Sequence, residues 1–293
     1  GYRTLREWLV GRLKSWCDID VTPDKILVTS GYLQALDLVH QALLDPGDVV
    51  VIEGGTYGGT MTRLHDENAE YVGVAMDDDG IMPEELEKVL GQIKAAGKRC
   101  KYVYTIPTVQ NPTGTVMSLE RRHALLDMAK KHDIMIFEDD CYADLTWSGE
   151  RPPAIYSLDT EGRVVYCGTF SKTLSPGIRV GWIAASSTLI QKLVLVKQAS
   201  DLHSASLNQM AIARVAEAVF DDQVEKNRAA YRVRRDAMLA ALAEHLPAGF
   251  RWSKPEGGMF FGVEGPPGLD SRARRQRAVM RYKVAFVPGQ AFF

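Results

Sequence analysis

Short apolar runs bounded by turn or polar residues recur along much of the chain, at 26–29, 49–52, 71–75, 102–106, 134–137, 164–167 and 180–184. Each has the length of a strand, and continuous rather than alternating apolar character predicts burial on both faces. Between them, residues 34–44, 83–96 and 119–132 carry helical spacing, with Pro83 suited to a first turn and Ser118 to a cap ahead of Arg121 and Arg122. Strands alternating with helices predict an α/β fold, a mostly parallel seven-stranded sheet sandwiched by helices. After Ser187 the pattern turns helical, over 188–199, 207–220 and 224–245, with an interdomain hinge expected in this region. The strand-like runs at 250–253, 257–261 and 284–287 then predict a smaller C-terminal α+β unit. The expected division is a large domain over 1–240 and part of a small one over 241–293, with no internal repeat or low-complexity linker.

Charge narrows the choice of partner. The 293 residues carry 35 Lys+Arg against 37 Asp+Glu, a formal charge of -2, with 46% apolar and 25% charged residues. That balance gives no general attraction to nucleic acid or to an anionic membrane, so small-molecule chemistry is expected. Cys17, Cys100, Cys141 and Cys167 are scattered without a C-x-x-C pair, as reduced thiols of a cytoplasmic protein would be. No apolar run is long enough to span a bilayer, and residues 1–6 lack the apolar stretch of a secretory signal. The histidines show no metal-binding spacing, so no metal site is expected.

In an open parallel sheet, ligands gather beyond the carboxyl ends of the strands, so the residues just after each strand carry the search. Gly31, after Thr29-Ser30, opens a helix whose first N–H groups suit a phosphate. Tyr57 follows the second strand and could lay its ring against a planar ligand, or be an ordinary rim tyrosine. The rigid turn Gln110-Asn111-Pro112-Thr113-Gly114 would present the Asn111 amide to the same edge, where it could donate to a phenolate oxygen. Glu138-Asp139-Asp140 comes straight off an apolar strand, with Tyr142 close behind. A carboxylate there, unpaired, is driven towards protonation, whereas a cationic ring nitrogen about 4 Å away would attract it by roughly 4 kcal/mol before desolvation. Thr169, Ser171 and Arg179 can bind a dianionic phosphate, and Lys172 between them can condense with an aldehyde. Singly, each of these has an ordinary alternative: a turn, a solvated acidic cluster, a surface lysine.

Taken together and in this order, Ser30-Gly31, Tyr57, Asn111-Pro112-Thr113-Gly114, Asp139 with Tyr142, and Ser171-Lys172 through Arg179 closely resemble fold-type I pyridoxal-phosphate enzymes. The resemblance covers nearly the whole chain. It is specifically to the class I/II aminotransferases of the aminoadipate/kynurenine-like branch, and extends to the aminotransferase-like domain of GntR/MocR-type regulators. It implies that Lys172 holds pyridoxal 5'-phosphate as a Schiff base and that Asp139 pairs with the pyridine nitrogen. Tyr57 would stack on the ring, Asn111 and Tyr142 would contact the phenolate oxygen, and Gly31, Tyr32, Thr169, Ser171 and Arg179 would surround the phosphate. Transamination between an alpha-amino acid and a 2-oxo acid is then expected, in a homodimer, with Lys172 moving the proton.

Tyr32-Leu33 stands where this branch usually has a small hydroxyl residue and glutamine, so only backbone donation is expected there. Gly55, where relatives often have proline, would loosen the turn that presents Tyr57. The chain is expected to lack an N-terminal segment with a tyrosine given to the partner's site, and a substrate-carboxylate arginine beyond Phe292. Two alternatives stay open: the effector-binding part of a transcription regulator, and a pyridoxal-phosphate lyase, racemase or decarboxylase. No helix-turn-helix segment is visible in the sequence. The basic run 272–277 has the character of a solvated helix face rather than a DNA contact.

Overall fold

In the computed structural model, which describes residues 1–147 and 151–293, the chain opens on helix α1 (Arg3–Cys17). Strand β1 (Ile26–Thr29) leads into α2 (Tyr32–Leu43), β2 (Val49–Glu53) into α3 (Gly58–Asp66), and β3 (Glu70–Val74) into a small hairpin of β4 (Met76–Asp77) and β5 (Gly80–Ile81). Helix α4 (Pro83–Ala95), β6 (Cys100–Thr105), α5 (Leu119–His132), β7 (Met135–Asp139), α6 (Ile155–Leu158), β8 (Val164–Thr169) and β9 (Gly181–Ala184) follow. The remainder comprises α7 (Ser187–Ser200), α8 (Ser206–His245), a second hairpin of β10 (Arg251–Trp252) and β11 (Val263–Glu264), and α9 (Ser271–Arg277).

All seven strands expected from the apolar runs are present, in one sheet of order β1-β9-β8-β7-β6-β2-β3. β8, β7, β6, β2 and β3 run parallel, and β9 runs antiparallel to both β8 and β1. Alternation divides each strand between two cores. Val50, Ile52, Tyr102, Tyr104, Phe137, Val165 and Cys167 pack with α2 and α7 on one face. Val49, Val51, Val103, Ile136 and Val164 pack with α4 and α5 on the other. A third cluster joins Leu5, Leu9 and Leu13 of α1 to Ile212, Ala216 and Phe220 of α8 and to the β1–β9–β8 end.

The expected cap forms, Ser118 Oγ accepting from the Arg121 amide at 3.4 Å. Three expectations are corrected. Residues 207–220 and 224–245 are one 40-residue helix, because polar residues 221–223 contain no helix breaker and Phe220 and Val224, one turn apart, are both buried. Residues 284–287 form no strand: they have no partner strand, and Val284 and Val287 are exposed. Residues 257–261 contribute only a single bridge, Gly257 to Thr146. Helix α1 was not marked by the strand pattern, although Leu5, Leu9, Leu13 and Cys17 form one buried stripe at helical spacing. No helix among the described residues is long and apolar enough to cross a membrane.

Arg122 is the polar keystone of the α5 face. It is fully buried and donates to the carbonyls of Met117, Pro107 and Pro153 at 3.0, 2.9 and 3.1 Å and to Thr108 Oγ1 at 2.9 Å. Its Nη1 lies 3.9 Å from the buried Glu138 carboxylate. Burial lowers the Arg122 pKa to about 10, still cationic at neutral pH, and burial raises Glu138 despite the arginine's opposing pull. Arg122→Ala strands a buried carboxylate and several acceptors, so a loss of about 3–5 kcal/mol of stability is expected. Urea unfolding of the two proteins checks it.

Candidate active site

Glu138 and Asp139 end β7 and Asp140 follows it, and strand alternation sends Glu138 and Asp139 to opposite faces. Asp139 shares the Phe137 face and reaches the α2 side of the sheet, where it is 2% exposed and lines a cavity at the carboxyl edge. Glu138 turns to the opposite face, accepting from the amides of Ile155 and Tyr156 at 2.9 and 2.8 Å beside Arg122. Asp140 accepts from the Tyr166 hydroxyl at 2.6 Å and pairs with Arg151. Among the described residues Asp139 has only neutral donors: the Tyr104 hydroxyl to Oδ2 at 2.5 Å and the Cys141 amide to Oδ1 at 3.3 Å. Of the three, it alone has no cationic partner among the described residues. Burial raises its pKa, and the hydrogen bonds from Cys141 and Tyr104 oppose that rise.

The next element is the loop after β6. Asn111 is buried, its Nδ2 3.5 Å from the Tyr142 hydroxyl and its Oδ1 without a partner among the described residues. Gln110 fixes this loop. Its side chain donates to Glu53 at 2.9 Å and to the Gly55 carbonyl at 2.7 Å, and accepts from the Thr113 amide at 2.9 Å. The same bonds brace the turn before Tyr57, where glycine at 55 was expected to leave slack; the Thr56 amide adds a bond to the Phe292 carbonyl at 3.0 Å. Val109 takes a left-handed φ of 61°, uncommon for a branched residue. Gly258 permits this, since a Cβ there would strike the Val109 side chain.

The opposite end of the cavity is made by β1–α2 and by the segment after β8. Gly31 caps α2 at φ 85°, and a Cβ at that position would overlap the Arg179 guanidinium. Only glycine lets the arginine stand against the helix terminus. Thr169 Oγ1 lies 3.0 Å from Ser171 Oγ and accepts from the Ser171 amide at 3.2 Å. Arg179 is anchored by one bond from Nη1 to the Pro176 carbonyl at 3.2 Å. Hydroxyls, a guanidinium and a helix N-terminus thus meet in one place, the set a phosphate requires. The Tyr32 side chain is engaged elsewhere: its ring is buried, and its hydroxyl lies 3.1 Å from the Tyr104 hydroxyl. Its amide remains the group that can face an anion.

These elements enclose a cavity of about 170 Å³, lined by Tyr32, Tyr57, Asp139, Tyr142, Thr169, Ser171, Lys172 and Arg179 together with Leu33, Ile106, Cys141 and Pro176. Lys172 Nζ is 5.6 Å from the centre of the Tyr142 ring, which is itself held edge-on by Phe260 at 5.7 Å. Burial raises the phenol pKa of both Tyr57 and Tyr142, so both are neutral donors at physiological pH. Of the residues expected at the site, Asn111 and Gly31 stand just behind the wall rather than in it. Tyr104, Gln110 and Glu53 were not anticipated. Tyr104 had a legible signal, its spacing of two from Tyr102 on a strand neighbouring Phe137.

Pyridoxal phosphate fits this donor set on three observations: a buried carboxylate lacking a cation, an unpartnered buried Asn111 oxygen, and a glycine-cleared cradle beside Arg179. The sheet order and this site define a fold-type I pyridoxal-phosphate enzyme. The chain matches the family Aminotransferase class I and II over residues 2–293 and belongs to it. Aromatic-amino-acid aminotransferase 1 of Thermococcus litoralis is 42% identical over 294 residues, covering 100% of this chain and 70% of the relative. The 2-aminoadipate transaminase of Thermus thermophilus is 37% identical over 296 residues, covering 100% and 72%. The crystal structure of Pyrococcus horikoshii kynurenine aminotransferase, with PMP and kynurenine as described for that protein, superposes with a TM-score of 0.94 at 41% identity, covering 100% and 72%. The chain is a pyridoxal-phosphate-dependent aminotransferase.

Glu53 makes the Asn111 loop sensitive to pH. It is buried among the Thr105 hydroxyl, the Ile106 amide, Gln110 and Thr56, at 2.6, 3.0, 2.9 and 3.3 Å, yet burial outweighs these donors and pushes its pKa from 4.5 up to about 7. Below pH 4.5 both folded and unfolded chains hold this proton; between 4.5 and about 7 only the folded chain does. Stability from this group therefore falls as pH rises through that window, by about 3 kcal/mol in all, and levels off above it. Glu53→Gln removes the effect. Urea midpoints of both proteins from pH 4 to about 8 should show wild type losing ground to the variant, and a constant difference contradicts the account.

Proposed function

We propose that Lys172 is the covalent attachment point of pyridoxal phosphate and the proton-moving group in transamination between an alpha-amino acid and a 2-oxo acid. The observation that carries this is Asp139: a buried carboxylate at the cavity, given only neutral donors by the described residues, while its neighbours Glu138 and Asp140 each have an arginine. A protonated pyridine nitrogen is the cation that site lacks. Tyr57 would lie against the ring, and Asn111 with Tyr142 would meet its phenolate oxygen. Gly31, the Tyr32 amide, Thr169, Ser171 and Arg179 would hold the phosphate.

When bound, pyridoxal phosphate supplies an electron sink for the pair released at the substrate's alpha carbon. The chain's own groups do the rest. Asp139 keeps a positive charge on the ring nitrogen favourable, by roughly 4 kcal/mol at about 4 Å before desolvation. Asn111 and Tyr142 orient the ring by donating to one oxygen. Lys172 Nζ, released when a substrate amine takes its place, is the base that accepts the alpha proton and carries it onward.

We also place the enzyme in the cytoplasm, an assignment supported by four free cysteines, and as a homodimer. The pairing is supported by the large apolar side chains left exposed on α7, just after it and on α8, Leu195, Leu202, Leu207 and Met210. Donor and acceptor identity lie beyond the fold. Relatives named for aromatic amino acids, 2-aminoadipate and kynurenine supply the first panel to try.

Two outcomes are expected. Borohydride reduction of the loaded enzyme followed by peptide mapping should fix the cofactor on Lys172; an adduct on another lysine overturns the assignment. Mixing the loaded enzyme with the donor panel should convert its absorbance to that of pyridoxamine phosphate and release the matching 2-oxo acid. Lys172→Ala should lower the turnover of the best donor by at least about a thousandfold, as loss of nucleophile and base together. Conversion with no donor in the panel, alongside loss of carbon dioxide or racemised product, would favour a different bond being broken.

A further inference from the structure

We propose that Tyr32 and Tyr104 form a phenol relay that positions Asp139, tying the ring-nitrogen end of the cofactor site to the helix terminus at its phosphate end. The proposal rests on Asp139 being the ring-nitrogen partner, and it assigns roles to two phenol side chains outside that reading. Tyr104 is fully buried, and its hydroxyl donates to Asp139 Oδ2 at 2.5 Å. A phenol has one proton, and an ionised carboxylate only accepts. With the Tyr104 proton committed to Asp139, the 3.1 Å contact between Tyr32 and Tyr104 must run with Tyr32 donating. The chain therefore has one direction, Tyr32 to Tyr104 to Asp139. Donation into Tyr104 polarises its own hydroxyl and strengthens the bond to the carboxylate.

The relay is held rigidly. The Tyr32 and Tyr104 rings each pack against Phe137, at 6.4 and 5.5 Å between centres, and Phe137 precedes Asp139 by two residues on the same face of β7. The Tyr104 backbone pairs with Phe137 in the parallel β6–β7 register. At its far end the relay begins at the first residue of α2, directly after Gly31. Tyr32 is thus a strut beneath the cavity: its amide belongs to the helix terminus that faces the phosphate groups, and its hydroxyl belongs to the support of Asp139. An ordinary core tyrosine would leave this geometry unexplained, because burying two phenols costs free energy unless both find partners, and here each partner is the next member of the chain.

The test is a double-mutant cycle on the affinity of the enzyme for pyridoxal phosphate, read by equilibrium dialysis, with Tyr104→Phe, Tyr32→Phe, Asp139→Asn and the pair Tyr104→Phe/Asp139→Asn. Tyr104→Phe removes a bond to a charged acceptor, and cofactor affinity should fall about tenfold. Tyr32→Phe acts one bond further away, and should weaken affinity in the same direction by about two- to threefold. Asp139→Asn should be weaker than either, and adding Tyr104→Phe to it should change affinity by less than about twofold. With the best donor, Tyr104→Phe should lower kcat while its KM moves by less than about twofold.

If Asp139→Asn loosens the cofactor but Tyr104→Phe leaves affinity unchanged, the relay is wrong and the role of Asp139 stands. Should Tyr104→Phe weaken binding equally with and without Asp139, it acts as packing and the relay is again wrong. An Asp139→Asn enzyme that holds the cofactor as tightly as wild type removes the ring-nitrogen assignment itself. Tyr32→Phe keeps the question decidable if Tyr104→Phe does not fold.

Discussion

A negative charge at 2% exposure is expensive unless something compensates it, and the arrangement of this site follows from that cost at Asp139. The chain supplies two neutral donors, Tyr104 and the Cys141 amide, enough to orient the carboxylate and to oppose its protonation. The described residues supply no cation, although arginines stand beside the residues before and after. A bound pyridinium would complete the account, and the rest of the cavity carries the groups that would place it. In the proposed function the donors at Gly31, Thr169, Ser171 and Arg179 would fix one end of the ligand, while Asn111 and Tyr142 would fix its edge.

Strand alternation turns one acidic tripeptide into three separate devices. Glu138 joins Arg122 and caps α6 on one face, Asp140 joins Arg151 and Tyr166, and Asp139 alone turns into the ligand cavity. The same logic operates at β2, whose last residue, Glu53, holds Gln110 and with it the loop bearing Asn111. Rigid strands place these groups, and buried carboxylates behind the site hold the loops that strands cannot reach. Precise presentation by supporting hydrogen bonds is what orientation-dependent catalysis requires.

Much of this was legible from the sequence. The seven strands follow from apolar runs, and searching the residues at and beyond the strand ends picks out Lys172 and Asp139, which share one cavity, with Asn111 just behind its wall. What stayed hidden depends on register and side-chain direction. Tyr104 shares an apolar strand with core residues, and nothing in its neighbours shows that its hydroxyl ends on Asp139. Tyr32 follows the glycine of a phosphate cradle, yet its ring turns under the sheet edge. The continuity of α8 across 221–223 was equally obscure, since three polar residues resemble a loop until Phe220 and Val224 are seen buried on the same face. The run 284–287 shows the converse: strand-like residues make no strand without a partner to pair with.

The central claim is that Asp139 stays ionised in order to face a protonated ring nitrogen. Loading the enzyme with pyridoxal phosphate carrying nitrogen-15 in the ring, and recording its chemical shift by NMR at neutral pH, tests this directly. The shift of a protonated pyridine nitrogen is predicted, moving to that of a neutral ring in Asp139→Ala. A neutral-ring shift in the wild-type enzyme would contradict the account.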